Sequence, residues 1–190
     1  MSPPPPQQLS VATLLSLVQP SGIYALTYAF IYGTSVWLSF FGGVIAYKTL
    51  PRAQFSALQH KTFPIYFGLS IGAGSALLGA WTWANPLVLT HYTNPLVPEV
   101  AQAYTLAFVI LMQSANYFVI GPLTSKTMFQ RMKLEKEEAK TDGSVSAEMK
   151  KLNSRFGMLH GLSSLANLGA VLALGFHGLW IGNLASVKRV

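Results

Sequence analysis

Four stretches of this chain, residues 22–47, 63–83, 100–121 and 158–182, contain no Lys, Arg, Asp or Glu at all. A helix needs roughly 20 predominantly apolar residues to cross a bilayer, and each stretch supplies them. A buried helix of a soluble protein normally keeps a charged face; these have none. Charged residues make up 10% of the chain and hydrophobic ones 51%, with a mean hydropathy of +0.40, whereas soluble domains carry about 25% charged residues. The predicted fold is all-α: a polytopic membrane protein with a bundle of four transmembrane helices over residues 22–182. A proline-rich tail and short interfacial segment (1–21) precede it, and a tail (183–190) follows.

The start carries no Lys or Arg, so it lacks the basic region of a secretory signal and the arginines of a transit peptide. The proline run at 3–6 is expected to be an extended tail. The apolar stretch 9–18 is too short to span and is expected to lie as an interfacial helical turn.

Charge placement orients the bundle. With four spans, the first and third loops share one side. Lys48, Arg52 and Lys61 fall in the first, and Lys126, Arg131, Lys133, Lys136, Lys140, Lys150, Lys151 and Arg155 in the third. The opposite side holds only Lys188 and Arg189. The positive-inside rule predicts that loops 48–62 and 122–157 are cytosolic and both termini luminal or extracellular, in the endoplasmic reticulum, elsewhere in the endomembrane system, or in the plasma membrane. The same distribution assigns the net charge of +7 to loops beside a bilayer rather than to nucleic acid. The second loop is built around Pro86, Pro95 and Pro98, and Trp81, Trp83, Tyr92, Tyr104 and Trp180 lie near it as an aromatic belt. The third loop is predicted to be a helical hairpin broken at Asp142-Gly143. Its plain reading is a solvated surface, and its sharper one a docking site for a cytosolic protein at 123–156 or for anionic lipid.

Polar residues inside the spans are the candidates for function. His160, Ser163, Ser164 and Asn167 fall at i, i+3, i+4 and i+7, one stripe of the fourth helix. Gln113, Asn116 and Tyr117 share a face of the third, and Ser39, Tyr66 and Ser70 lie at similar depth. Unpaired polar groups in hydrocarbon are costly, so this cluster is either an interhelical hydrogen-bond network or a cytosol-facing pocket for a small solute, ion or headgroup. Catalysis has little support: His160 lies near two serines, but no span contains a carboxylate to complete a triad. With no cysteine, four scattered histidines and unpaired methionines, no metal or other cofactor is predicted. Gly68, Gly72 and Ala76 in the second span and Gly161 in the fourth are small residues spaced for close helix packing, within the bundle or between two copies in a homodimer.

Residues 37–67, WLSFFGGVIAYKTLPRAQFSALQHKTFPIYF, together with SANYFVIGPLTSKTMFQRMKLEKEE and LNSRFGMLHGLSSLANLGAVL, make the chain resemble the transmembrane protein 205 family in its fungal-type form, over roughly residues 24–182. The resemblance implies a small four-span protein with no established enzymatic activity, in a family linked in animals to platinum-drug resistance and vesicle trafficking. It marks Gly43, Leu50, Pro51, Arg52, Gln59, Phe63, Pro64 and Tyr66, and His160, Gly161, Ser163, Ser164 and Asn167, as shared positions; the first set, Leu50 apart, is read as a structural elbow, with Pro51-Arg52 and Phe63-Pro64 fixing where each helix enters the bilayer. The expected function is that of a non-enzymatic membrane-organising, adaptor or trafficking component. The alternative is a small solute or ion transporter or export accessory, with an intramembrane enzyme a distant third.

Overall fold

The computed structural model describes residues 8–139 and 145–187. The proline run at 3–6, the expected break at Asp142-Gly143 and the basic pair Lys188-Arg189 lie outside them. A short helix, α1 (Val11–Ser16), is capped by Ser10, whose Oγ accepts from the Thr13 N–H at 3.1 Å. Its leucines are exposed, as suits a helix lying in the interface.

The first span joins α2 (Pro20–Val36), a π-helical turn (Trp37–Gly42) and α3 (Gly43–Thr49). The second is α4 (Arg52–Ala84), followed by the one-turn α5 (Leu87–Thr90). The third joins α6 (Pro98–Ala115), a π-helical turn (Asn116–Ile120) and α7 (Gly121–Glu138). The fourth is α8 (Ala147–Val187). All four stretches are long and apolar enough to cross a membrane. Each span packs against its neighbours in the chain, and the first closes against the fourth. The bundle turns Leu26, Ile65, Leu111, Phe118, Leu165 and Leu179 outward, where lipid rather than water suits them.

Three boundaries differ from the sequence reading. The expected loop 48–62 is one sharp bend: Leu50 is extended (φ −99°, ψ 143°) because it precedes Pro51, and helix resumes at Arg52. Pro64 therefore lies inside α4 rather than in its first turn. Gly121-Pro122 does not end the third helix. The Gly121 N–H bonds back to the Asn116 carbonyl, the i→i−5 pattern of a wide turn, and helix continues through Pro122, which has no N–H to place. Lastly, Trp81 is not part of the aromatic belt. It is buried, and its Nε1 donates to the Glu99 carbonyl at 2.9 Å.

The helices outrun the bilayer. The 41 residues of α8 extend roughly 60 Å, about twice the hydrocarbon thickness, so α4, α7 and α8 form a helical extension at one end. There Arg52 Nη1 meets Glu135 Oε1 at 2.9 Å. The Arg131 Nε donates to Asn153 Oδ1 at 2.7 Å, and its guanidinium lies 4.5 Å from the centre of the Phe156 ring. His60 Nδ1 meets Ser125 Oγ at 3.1 Å, with Phe129 edge-on to its ring. The two connections rich in Lys and Arg thus lie together at one basic end. Because the Arg52 and Glu135 side chains are 66% and 50% exposed, their ion pair adds little; Arg52→Ala should lower stability by less than about 1 kcal/mol, read as the midpoint of thermal unfolding.

Candidate functional site: two buried polar clusters

Lipid is as apolar as leucine, so hydrophobicity alone does not hold one span against another. Polar contacts gain importance accordingly, and most of all for the first span. Only 11% of its apolar window is buried, against 28–33% for the other three.

One cluster joins all four spans in the half nearer the basic end. Its hub is Tyr66, 2% exposed. The Tyr66 hydroxyl lies 2.9 Å from Asn167 Oδ1 and 3.0 Å from Ser35 Oγ. Ser35 gives its own proton to the Ile31 carbonyl at 2.7 Å, a backbone acceptor one turn earlier. Gln113 Nε2 donates to the Tyr66 oxygen and to Asn167 Oδ1, both at 3.1 Å. Asn167 Nδ2 donates to Ser39 Oγ at 2.7 Å, and Asn116 Nδ2 to the Ser163 carbonyl at 3.2 Å. Ser70 bonds back to the Tyr66 carbonyl at 2.8 Å. Two side-chain oxygens, Gln113 Oε1 and Asn116 Oδ1, are buried and accept no hydrogen bond. Both π-helical turns adjoin this cluster: Ser39 sits within the first, and Asn116 opens the second.

The structure divides the candidate residues. Asn167, Gln113 and Asn116 come together as the spacing suggested, and Tyr66, assigned to the elbow, moves to the centre. His160 does not join them. It is exposed and lies parallel to the Phe156 ring, with centroids 5.9 Å apart. Ser164 is exposed as well, and Ser163 contributes only its backbone carbonyl. The reason is helical phase. The buried seam of α8 runs through Leu159, Asn167, Ala170, Leu174 and His177. At 100° per residue His160 and Ser164 lie about 70–110° round from its midline. Tyr117 is 40% exposed and sits edge-on to Phe118.

The small residues also redistribute. A Cβ placed on Gly72 or Gly161 would meet nothing within 4 Å, and one on Gly68 would reach only the Tyr117 ring at 3.6 Å. Gly72, Ala76 and Gly161 are exposed, so they do not bring helices together within the bundle. The tight positions are Gly74, against Ile110, and Gly178, where a Cβ would fall 1.8 Å from the Tyr28 hydroxyl. Of the elbow residues, Gly43 lies beside Gln59, whose Nε2 would be 3.6 Å from a Cβ there. Phe63 packs on Phe67 with ring centroids 5.5 Å apart.

The second cluster escaped the sequence reading. His177 is fully buried, ten residues along α8 from Asn167 and hence about 15 Å away. Its Nδ1 lies 2.8 Å from Gln102 Oε1, and its Nε2 meets the Tyr24 hydroxyl. A carboxamide oxygen can only accept, so Nδ1 carries the proton and Nε2 accepts from Tyr24. Trp81 is edge-on to the His177 ring at 5.3 Å. Tyr28 donates to the Leu174 carbonyl at 3.0 Å. The available signal was spacing: Asn167, Ala170, Leu174 and His177 lie at i, i+3, i+7 and i+10, which put the histidine on the buried seam.

Both clusters tie the first span to the rest. Tyr24 and Tyr28 reach the fourth span in one half, Ser35 reaches the second and Ser39 the fourth in the other, and Ile31 is buried between them. Chemically they are networks of neutral donors and acceptors, without a carboxylate.

Comparison with known proteins agrees with this architecture. Residues 26–133 match the family described as a domain of unknown function, DUF4149. The chain is 26% identical to transmembrane protein 205 of Danio rerio, over 77% of this chain and 82% of that protein. It is 24% identical to xanthocillin biosynthesis cluster protein D of Aspergillus fumigatus, over 84% of this chain and 87% of that one. No solved structure matches it. With the family match spanning more than half of its 190 residues, the chain belongs to the DUF4149 family and is a multi-pass membrane protein of the transmembrane protein 205-like kind.

Proposed function

We propose that this protein is a non-enzymatic membrane-organising or trafficking component that works through its basic end. In this reading the buried polar clusters hold the bundle together, and the segment 123–156, through the ends of α7 and α8 that it contains, docks a cytosolic partner. One observation carries it: side-chain hydrogen bonds run between all four spans, from Tyr66 to Ser35 and Asn167, from Gln113 to Tyr66 and Asn167, and from Asn167 to Ser39, which suits a rivet better than a solute pathway. Positive-inside placement of the Lys and Arg residues puts this segment in the cytosol and the Asn-Pro loop in the lumen or outside. A glycosylation acceptor engineered into that loop should be modified in microsomes; one that stays unmodified contradicts the orientation.

A second reading, a small solute or ion transporter or export accessory, draws on the two buried oxygens without donors, Gln113 Oε1 and Asn116 Oδ1. A cation or a donor-bearing solute would satisfy them. The link of the resembled family to platinum resistance supplies one class of solute to try. Purified protein in sealed liposomes, tested with metal cations, platinum complexes and small organic solutes, separates the readings. The rivet account predicts no saturable flux from folded protein. Saturable flux abolished by Gln113→Leu would establish the transporter instead.

A further inference from the structure

The basic end contains a groove that neither polar cluster explains. Its volume is about 530 Å³, and its walls include Tyr47, Arg52, Phe55, Arg131, Met132 and Phe156. It adjoins a second hollow of about 470 Å³ that shares Arg52 and Arg131 and includes Glu135. Arg52 and Arg131 therefore line both hollows, and Leu50, Phe55, Met128, Met132 and Phe156 make the first of them mainly apolar.

Three features identify what fits there. First, the groove lies where the first span turns into α4, at the level where apolar surface gives way to charge. Phe40, Phe41, Val44 and Ile45 of the first span are 46–52% exposed, so lipid-facing apolar surface runs up to this end of the bundle. Second, the site is positive. Eleven of the thirteen Lys and Arg residues belong to the two connections at this end. Third, the Arg52–Glu135 pair is half exposed, so its net worth is small, and a phosphate can take the place of the carboxylate while receiving two N–H bonds from each guanidinium. Arg131 is held in position by Asn153 and by the Phe156 ring, which fixes one side of the site beforehand.

We propose that this groove binds an anionic phospholipid of the adjoining leaflet, its phosphate between Arg52 and Arg131 and the upper part of an acyl chain on Phe55, Met132 and Phe156. The site shares Arg131, Met132 and Phe156 with the end of the bundle named above, but it needs neither a protein partner nor a solute pathway. Glu135 is its built-in competitor.

The test uses the full chain purified in detergent, with phosphatidylglycerol and phosphatidylcholine of identical acyl chains offered together and retained lipid counted by native mass spectrometry. The expected result is a preference for phosphatidylglycerol of about tenfold, because both lipids offer the phosphate but only phosphatidylcholine brings a choline cation up against the two arginines. That preference should vanish in Arg52→Gln/Arg131→Gln, survive in Lys133→Gln/Lys136→Gln, and rise in Glu135→Gln. The last variant keeps the test decisive if the double arginine variant fails to fold. Equal retention of the two lipids by the native chain overturns the proposal. So does an equal loss in the lysine variant, which would mean a diffuse positive surface. Displacement of the lipid by free glycerol phosphate would also overturn it, since the site would then recognise a soluble phosphate.

Discussion

Asn167→Leu should destabilise the protein by about 2–3 kcal/mol, while His160→Leu, one heptad away on the same helix, should change stability by less than about 0.5 kcal/mol. The asparagine amide accepts from Tyr66 and Gln113 and donates to Ser39, linking four spans through one side chain. Each bond between membrane helices is worth about 0.6 kcal/mol, up to about 1.7. Leucine keeps the volume but leaves the Gln113 amide and the Ser39 hydroxyl short of partners in a place without water. His160 loses only a ring contact at the surface. Unfolding midpoints of the two variants in mixed micelles check this directly, and similar losses for both would contradict the division of the polar stripe.

Gly178→Ala should cost about 2–3 kcal/mol, near the upper range for an overpacked position. A methyl group there would sit 1.8 Å from the Tyr28 hydroxyl and 2.6 Å from its Cζ. Tyr28 does not swing away freely: it donates to the Leu174 carbonyl and stacks on Tyr32 with centroids 5.7 Å apart. Shortening the tyrosine should relieve the clash, so Tyr28→Leu combined with Gly178→Ala should lose less than the two single changes added together. Gly161→Ala and Gly72→Ala, with open space around them, should be neutral. A double-mutant cycle by thermal unfolding tests the coupling; strict additivity would show that the ring and the glycine do not meet.

Charge-free windows made the four spans legible, because lipid excludes charge so strongly that its absence marks depth. The same windows hid the helix ends. Beyond the bilayer, α4, α7 and α8 continue as ordinary polar helix, and nothing in hydropathy marks where membrane stops and helix goes on. Pro64 and Gly121-Pro122 looked like boundaries because proline usually is one; a π-helical turn before Pro122 absorbs it instead. Spacing found Asn167, Gln113 and Asn116, yet it could not choose between adjacent residues of the stripe. His160 and Asn167 share an arc of the helix, and only the seam set by Leu159, Ala170 and Leu174 decides which of them faces inward. His177 stood apart from other polar residues of its own helix, so its partners Tyr24 and Gln102, on two other spans, became visible only once the bundle was assembled.

The central claim is that the buried polar residues bind the first span to the bundle and are closed to water. The chain has no native cysteine, so Ser35→Cys gives a single reporter beside Tyr66, and Ser154→Cys a matched one on the exposed part of α8 at the basic end. Only a thiolate in contact with water reacts with a charged maleimide. Rapid labelling is expected at position 154 from the basic side, and none at position 35 from either side until the protein is denatured. Labelling of the folded Ser35→Cys protein at a rate near that of Ser154→Cys would mean that water reaches the cluster, and the polar core would have to be read as a pathway.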